Sequence, residues 1–153
     1  MKQEYLRIDG IPAILWGEPS EEIFIFVHGE NSSKEEAEEF AGIVGGYGIQ
    51  TLSFDLPGSG ERGNICSACM PEPCDLVHSV RDLRIILNWT RERYKRVSLF
   101  VRDHAKFCLE AFSGQEFERS IFVSPDTEVT GFANARVGSP DRFEFDRFIR
   151  DSF

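Results

Sequence analysis

The chain has 153 residues, of which 41% are hydrophobic and 12% aromatic, and its formal net charge at pH 7 is −9. This length and composition predict one globular domain, and the negative charge argues against binding to nucleic acid or anionic membranes, which requires Lys and Arg. No stretch has the ~20 consecutive apolar residues of a membrane span, and the first residues do not resemble a signal peptide. The sequence therefore predicts a cytoplasmic protein.

Two strand-like runs open the chain, from Gln3 to Ile8 and from Ile11 to Trp16. They flank Asp9-Gly10, and an Asp-Gly pair between two such runs is typical of a tight β-hairpin. We therefore predict that the chain begins with two antiparallel strands.

The next stretch is predicted to form a βαβ unit with a right-handed crossover. Residues 23–27 are all apolar, as expected for a strand that helices cover on both faces. Ser33 and Glu36 have the spacing of a capping box at the start of the helix. A second strand from Gln50 to Phe54 then leads into a loop with the sequence Asp-Leu-Pro-Gly-Ser-Gly, residues 55–60.

The remaining elements follow from helical and strand periodicity. We predict a helix from Asp75 as N-cap to about Tyr94, and a last helix that starts at Ser139-Pro140. Between them the sequence predicts a strand at 96–101, a helix at 104–113 and a sixth strand at 119–124.

Two of these segments resemble the first half of an α/β-hydrolase. The resemblance rests on IFIFVHGENSS, in which His28-Gly29 ends the third strand, and on TLSFDLPGSGERG, in which an Asp-x-Pro-Gly-x-Gly loop follows the fourth. It covers residues 5–100 well and residues 101–153 weakly. It implies a single domain over residues 1–153, an α/β/α architecture in three layers, and a mostly parallel six-stranded sheet in the order 1-2-4-3-5-6. Because the family's sheet has two more strands, the chain resembles a truncated member whose sixth strand would leave an exposed edge unless the Phe-rich tail covers it.

The same resemblance places the catalytic nucleophile on a sharp turn after the fifth strand. That turn reads Val101-Arg102-Asp103-His104-Ala105, so Asp103 stands where most of the family has serine. Haloalkane dehalogenases and epoxide hydrolases of this fold use an aspartate there and form an ester intermediate, which a histidine-activated water then opens. The chain's only histidines are His28, His78 and His104, and none is at the position that the family uses.

An oxyanion hole in this family needs two backbone N–H groups. The corresponding donors here belong to His104 and Glu30, with Gly29 allowing close approach. The alternative is that Gly29 only makes a turn.

A cysteine-rich loop is the other candidate site. Cys66, Cys69, Cys74 and His78 place three sulfurs and one nitrogen within thirteen residues, and zinc accepts such ligands. The alternative is that these are ordinary thiols in a surface loop, and no metal or other cofactor is predicted.

Three functions remain open at this point. The first is an ester or amide hydrolase that is impaired or inactive, because its elbow serine is replaced by Asp103 and its catalytic histidine is missing. The second is a non-catalytic relic of the fold that binds a small molecule or forms a homodimer through the sheet edge or a Phe-rich tail. The third is a metal-binding module at residues 66–78. The tail residues concerned are Phe132, Phe143, Phe145, Phe148 and Phe153.

Overall fold

A computed structural model describes residues 1–63, 72–123, 132 and 135–153, with the backbone alone at 72–76 and 105. Within these residues one sheet contains seven strands, and four α-helices and two short 3₁₀ helices (Lys34–Ala37 and Gly60–Arg62) surround it. The strands are β1 (Gln3–Ile8), β2 (Ile11–Trp16), β3 (Glu22–Val27), β4 (Gln50–Phe54), β5 (Arg96–Arg102), β6 (Ser120–Val123) and β7 (Ala135–Gly138). The helices are α1 (Glu38–Gly45), α2 (Glu72–Arg93), α3 (Ala105–Ala111) and α4 (Phe145–Arg150).

The sheet confirms the predicted hairpin and strand order. Its order is β1-β2-β4-β3-β5-β6-β7, with β1 and β2 antiparallel to each other, β2 antiparallel to β4, and the remaining neighbours parallel. The predicted count of six strands was wrong, because β7 pairs with β6 from Ser120↔Ala135 to Val123↔Gly138. Among the described residues, the last strand of the sheet is therefore β7 rather than the sixth strand. With the sequence Ala-Arg-Val-Gly, β7 has neither an apolar run nor a clear alternation that would have revealed it.

Burial on both faces explains the continuous apolar run of β3. Ile23, Ile25 and Val27 pack into the core on the α2 and α3 side, whereas Phe24 and Phe26 pack into the core on the α1 and α4 side. Period-2 alternation of side chains sends successive residues to opposite faces, so both faces need apolar residues.

Three boundaries differ from the predictions. Ser33 does not cap the helix: its Oγ hydrogen-bonds to Glu35 Oε2 at 2.7 Å, and a 3₁₀ turn precedes α1. Helix α2 begins at Glu72, three residues before the predicted cap, and α4 begins at Phe145 rather than at Ser139-Pro140. Ahead of α4, Asp141 Oδ1 accepts the backbone N–H groups of residues 143 and 144, which makes residues 141–144 a separate turn.

A buried carboxylate joins three parallel strands at the amino edge of the sheet. Glu22 is 7% exposed, and its Oε1 lies 2.7 Å from Arg119 Nη1 and 3.4 Å from Ser98 Oγ. Arg96 Nε lies 3.6 Å from Glu22 Oε2. This acid, which is at the start of β3, is therefore held by groups of β5 and of the segment entering β6.

Most of the Phe-rich tail packs within the chain. Phe132 and Phe145 are buried, and Phe148 and Phe153 pack against the core, whereas Phe143 is 87% exposed. The predicted homodimer is not tested by one chain and stays a prediction. None of the helices in the described part of the chain is long and apolar enough to cross a lipid bilayer.

Replacing Phe26 tests the aromatic core between the sheet and α1. Its ring stacks on Phe100 at a centroid distance of 4.7 Å and lies 5.4 Å from Phe40. Phe26→Ala should lower the free energy of unfolding by about 3–5 kcal/mol in urea denaturation. The exposed Phe143 provides the matched control, and Phe143→Ala should change it by less than about 0.5 kcal/mol. Equal losses in the two variants would contradict this description of the core.

Candidate functional site

The chain makes a tight corner between β5 and α3. Asp103 has a φ of +67°, and the N–H of His104 donates to the carbonyl of Arg102 at 2.8 Å, which closes a γ-turn. The corner lies at the carboxyl end of β5, where the sequence analysis expects the nucleophile turn. A non-glycine residue at positive φ stores backbone strain, and such residues cluster at functional sites.

The carboxylate of Asp103 binds the loop that follows β3. Its Oδ2 accepts the backbone N–H of Glu30 at 3.1 Å, so the corner residue and one expected oxyanion donor are brought together. A Cβ at Gly29 would lie 2.7 Å from that same oxygen and 2.8 Å from Arg102 Cδ. Gly29 has no positive φ, so close approach and not the turn is what requires glycine.

A second carboxylate accepts a hydrogen bond from the neighbouring backbone amide. The N–H of Gly29 points to both oxygens of Glu36, at 3.3 and 3.4 Å, and Arg102 Nε lies 3.4 Å from Glu36 Oε2. The two consecutive amides of Gly29 and Glu30 therefore both face acidic side chains of the chain itself. Glu36 has this contact in place of the capping role that its spacing suggested.

His28 connects the two loops at this edge of the sheet. The side chain is 1% exposed, Nδ1 donates to the carbonyl of Gly29 at 2.8 Å, and Nε2 accepts the N–H of Leu56 at 3.1 Å. These partners assign the neutral tautomer with the proton on Nδ1. Because both ring nitrogens are bonded to the backbone, His28 is a positioning residue of the loops.

His104 lies beside the corner with its ring stacked on Phe107, at a centroid distance of 5.2 Å and an angle of 11°. Its ring centroid lies 6.3 Å from that of His28. Burial is the main cause that lowers the pKa of His104, against the opposing charges of Asp103, Glu30 and Glu36. The imidazole is therefore neutral at pH 7.

A cleft of about 250 Å³ opens beside this corner. The loops after β3 and β4, together with α2 and α3, form its walls. Its lining includes hydroxyl, amide and carboxylate groups as well as apolar side chains, which suits a small molecule with both apolar and hydrogen-bonding parts. The lining residues are Glu30, Asn31, Leu56, Pro57, Ser59, Ser79, His104 and Phe107.

A buried ion pair, which the sequence analysis missed, supports the floor of the site. Lys34 is 1% exposed and Asp55 is fully buried. Asp55 Oδ1 accepts the N–H of Lys34 at 3.0 Å, and its Oδ2 accepts the Lys34 ammonium at 2.8 Å and the N–H of Glu61 at 3.0 Å. Burial alone would lower the pKa of Lys34, but hydrogen bonds to Asp55, Glu61 and Glu35 raise it above its ordinary value. The one available signal was an aspartate that ends a buried strand and therefore needs a partner.

The same loop is also tied to α2. Arg62 donates through Nη1 to the carbonyl of Asp55 at 3.1 Å and forms an ion pair with the buried Asp82. Gly60, at a φ of +53°, has no room for a side chain, because a Cβ would lie 2.3 Å from Asp55 Oδ1.

The predicted metal ligands fall mostly outside the described residues. Cys66 and Cys69 lie outside them, as does the side chain of Cys74, and His78 is half-buried in α2. Elsewhere in the described structure, no group of three or more His, Cys, Asp or Glu side chains is arranged to hold a metal ion.

Solved structures resemble this fold throughout most of the chain. TT1662 from Thermus thermophilus has a TM-score of 0.67 and 18% identity, and the match covers 86% of this chain and 61% of that one. The Pyrococcus furiosus esterase PF2001 has a TM-score of 0.60 and 17% identity, covering 81% and 49%. The epoxide hydrolase VrEH1 from Vigna radiata also has a TM-score of 0.60 and 17% identity, covering 83% and 41%. The chain thus spans between about two fifths and three fifths of the length of these proteins, and at such identities the likeness is one of fold. Neither the protein-family models nor the curated proteins give a match.

The Lys34–Asp55 pair predicts a large stability effect. Lys34→Met leaves a fully buried carboxylate without its cation, so the free energy of unfolding should fall by about 3–5 kcal/mol. The exposed Lys106 is the control, and Lys106→Met should change it by less than about 0.5 kcal/mol. Urea denaturation measures both, and a Lys34→Met loss as small as that of the control would contradict a structural role for the pair.

The lowered pKa of His104 should make the stability of the folded state depend on pH. Its pKa is lowered in the folded state from the ordinary 6.5, so the unfolded chain takes up the proton first. As the pH falls from about 8 to about 5, the wild type should therefore lose more stability than His104→Asn does. Thermal unfolding of both proteins across that range measures the difference. Parallel curves would show that the fold does not disfavour the imidazolium.

Proposed function

Starting from an α/β-hydrolase-like fold, we propose that this chain binds a small ester- or amide-like molecule at the cleft beside His104 and does not hydrolyse it. The observation that carries the proposal is the 3.1 Å hydrogen bond between Asp103 Oδ2 and the N–H of Glu30. Acyl transfer needs a nucleophile, a base and free donors for the developing oxyanion. The contacts at this corner support none of the three.

The nucleophile position carries a carboxylate where a serine mechanism needs a hydroxyl. Asp103 also accepts the hydrogen bond of the Glu30 N–H. In a hydrolase of this fold, that N–H would stabilise the oxyanion. A substrate carbonyl can use that donor only if Asp103 leaves it, and a carboxylate next to a developing oxyanion opposes the charge that has to form there. Glu36 has the same effect at the amide of Gly29.

The histidines in this region do not supply the missing base. His28 has both ring nitrogens bonded to the backbone. His104 follows Asp103 directly and stacks on Phe107, so it lines the cleft as an aromatic surface. The cleft itself keeps the mixture of apolar and polar groups that binds a small neutral molecule, and Glu30 in its wall disfavours an anionic one.

We expect the protein to bind a small amide in solution but not to hydrolyse esters. With a panel of p-nitrophenyl esters, the wild type and Asp103→Asn should give the same rate as the uncatalysed reaction. With acetanilide as an uncleaved amide probe, the backbone amide resonances of residues 56 and 107 should shift to saturation in a titration followed by NMR. Phe107→Ala should weaken that binding, and Phe143→Ala is the matched control on an exposed ring.

Either of two results would contradict the proposal. Ester turnover that Asp103→Asn abolishes would establish a hydrolase, and the absence of any saturable shift at the cleft would remove the binding function.

A second candidate function has one specific observation in its favour. The bond from Oδ2 to Glu30 leaves Oδ1 of the exposed Asp103 as the oxygen that can attack an alkyl carbon. In that reaction the new C–O bond forms an ester on Asp103 as the bond from carbon to halogen or to epoxide oxygen breaks. Neither His28 nor His104 is placed to activate water for the next step, so the ester would persist.

Intact-mass spectrometry distinguishes this candidate from simple binding. Incubation with styrene oxide or a bromoalkane would add one mass equivalent to the wild type and none to Asp103→Asn. An unmodified wild type leaves the binding proposal in place and rejects the carboxylate nucleophile.

A further inference from the structure

The strongest unassigned feature is the guanidinium of Arg136, on the terminal strand β7. Its Nε is shielded from solvent and has no hydrogen-bond partner among the described residues. Three other buried side-chain atoms share this property, but Arg102 Nε and Asp82 Oδ1 each lie within 3.5 Å of an opposite charge, and Thr51 is uncharged. Of these four atoms, Arg136 Nε is thus the one on a charged group for which the described part of the chain provides no acceptor, and a shielded donor needs a hydrogen-bond partner.

The guanidinium is held in place without that acceptor. Its Cζ lies 4.4 Å from the ring centroid of Phe148, which places the planar group over the aromatic face. Phe148 can lie against β7 because residue 138 is glycine: a Cβ there would be 2.5 Å from Phe148 Cε2. The ring and the strand therefore fix the orientation of the fork before any ligand arrives.

A cleft of about 410 Å³ adjoins this guanidinium, between β7 and α4. Arg136 and Ser139 offer hydrogen-bond donors in it, and Arg147 adds a second positive charge, although its Nε also lies 3.7 Å from Asp151 Oδ2. Glu144 and Asp151 line the same cleft. Their negative charges oppose a phosphate dianion more strongly than a singly charged carboxylate.

We propose that the cleft between β7 and α4 binds the carboxylate of a small molecule, with Arg136 as the principal ligand-binding residue. The planar guanidinium donates to both oxygens of a carboxylate, and Ser139 contributes its hydroxyl. The site is separate from the corner at Asp103 and does not depend on the proposed function. It lies beside Phe148, so a ligand with a flat apolar part next to its carboxylate fits best.

A titration with sodium benzoate at constant ionic strength tests the site. The Nε–Hε resonance of Arg136 should shift to saturation in the ¹⁵N-labelled wild type. Arg136→Gln should weaken binding at least about tenfold, because a charged hydrogen-bond partner is lost. Arg136→Lys should recover only part of the affinity, since it keeps the charge and loses the fork. Arg142→Gln, which removes an exposed arginine of the same segment, should leave the affinity unchanged.

Inorganic phosphate is titrated in parallel, to test the choice of carboxylate. Phosphate that binds more tightly than benzoate would overturn that choice, and a shift that never saturates, or that Arg142→Gln weakens equally, would overturn the site. When Arg136→Gln fails to fold, saturation of the wild-type resonance and the comparison of benzoate with phosphate still decide whether the proposal holds.

Discussion

The carboxyl edge of the sheet depends on the buried carboxylate of Asp55. Three donors from two different loops converge on it, namely the N–H and the ammonium of Lys34 and the N–H of Glu61. The two bonds from Lys34 connect the loops after β3 and β4, and His28 adds a third connection between them through the N–H of Leu56. Each loop on its own is a glycine-containing turn, so these charged and polar bonds fix how the two lie against each other.

That fixed arrangement determines what the corner at Asp103 can contact. Because these bonds fix the position of the loop after β3, the backbone N–H groups of residues 29 and 30 lie at hydrogen-bond distance from the side chains of Glu36 and Asp103. These two N–H groups are therefore already hydrogen-bonded to carboxylates of the same chain. In a hydrolase of this fold, donors at this place would bind the substrate. The neutral His104 and the ring of Phe107 then make this side of the cleft aromatic.

Much of the fold follows from local patterns in the sequence. The Asp-Gly pair marked the hairpin, and the apolar run at 23–27 marked a strand covered on both faces, whereas the predicted order of the strands came from the resemblance to α/β-hydrolases. Strand β7 could not be predicted. It has only four residues, its one valine is exposed, and it therefore shows no alternation of hydrophobic and polar residues. Ser33 had the right spacing for a cap, but spacing does not say which group its hydroxyl will bind.

The position of the corner at Asp103 and of its facing loop was predictable, whereas the contacts made there were not. The motifs at 28–30 and 101–105 indicated where the corner and its facing loop lie, and the structure brings Asp103 and Glu30 together. Periodicity describes faces of single elements, whereas Lys34 and Asp55 are 21 residues apart and meet only in the tertiary fold. The same holds for Arg62 and Asp82, which lie on a loop and a helix.

The carboxylate of Glu22 has a consequence for how the chain acquires its structure. Its hydrogen-bond partner Ser98 lies 76 residues further along the chain, and Arg119 lies 97 residues away. Pairings of such long sequence separation form late and slowly, because a long loop has to close first. During synthesis the apolar strand β3 therefore emerges well before the strand that covers its edge, and a nascent chain halted at that stage would present this segment to molecular chaperones.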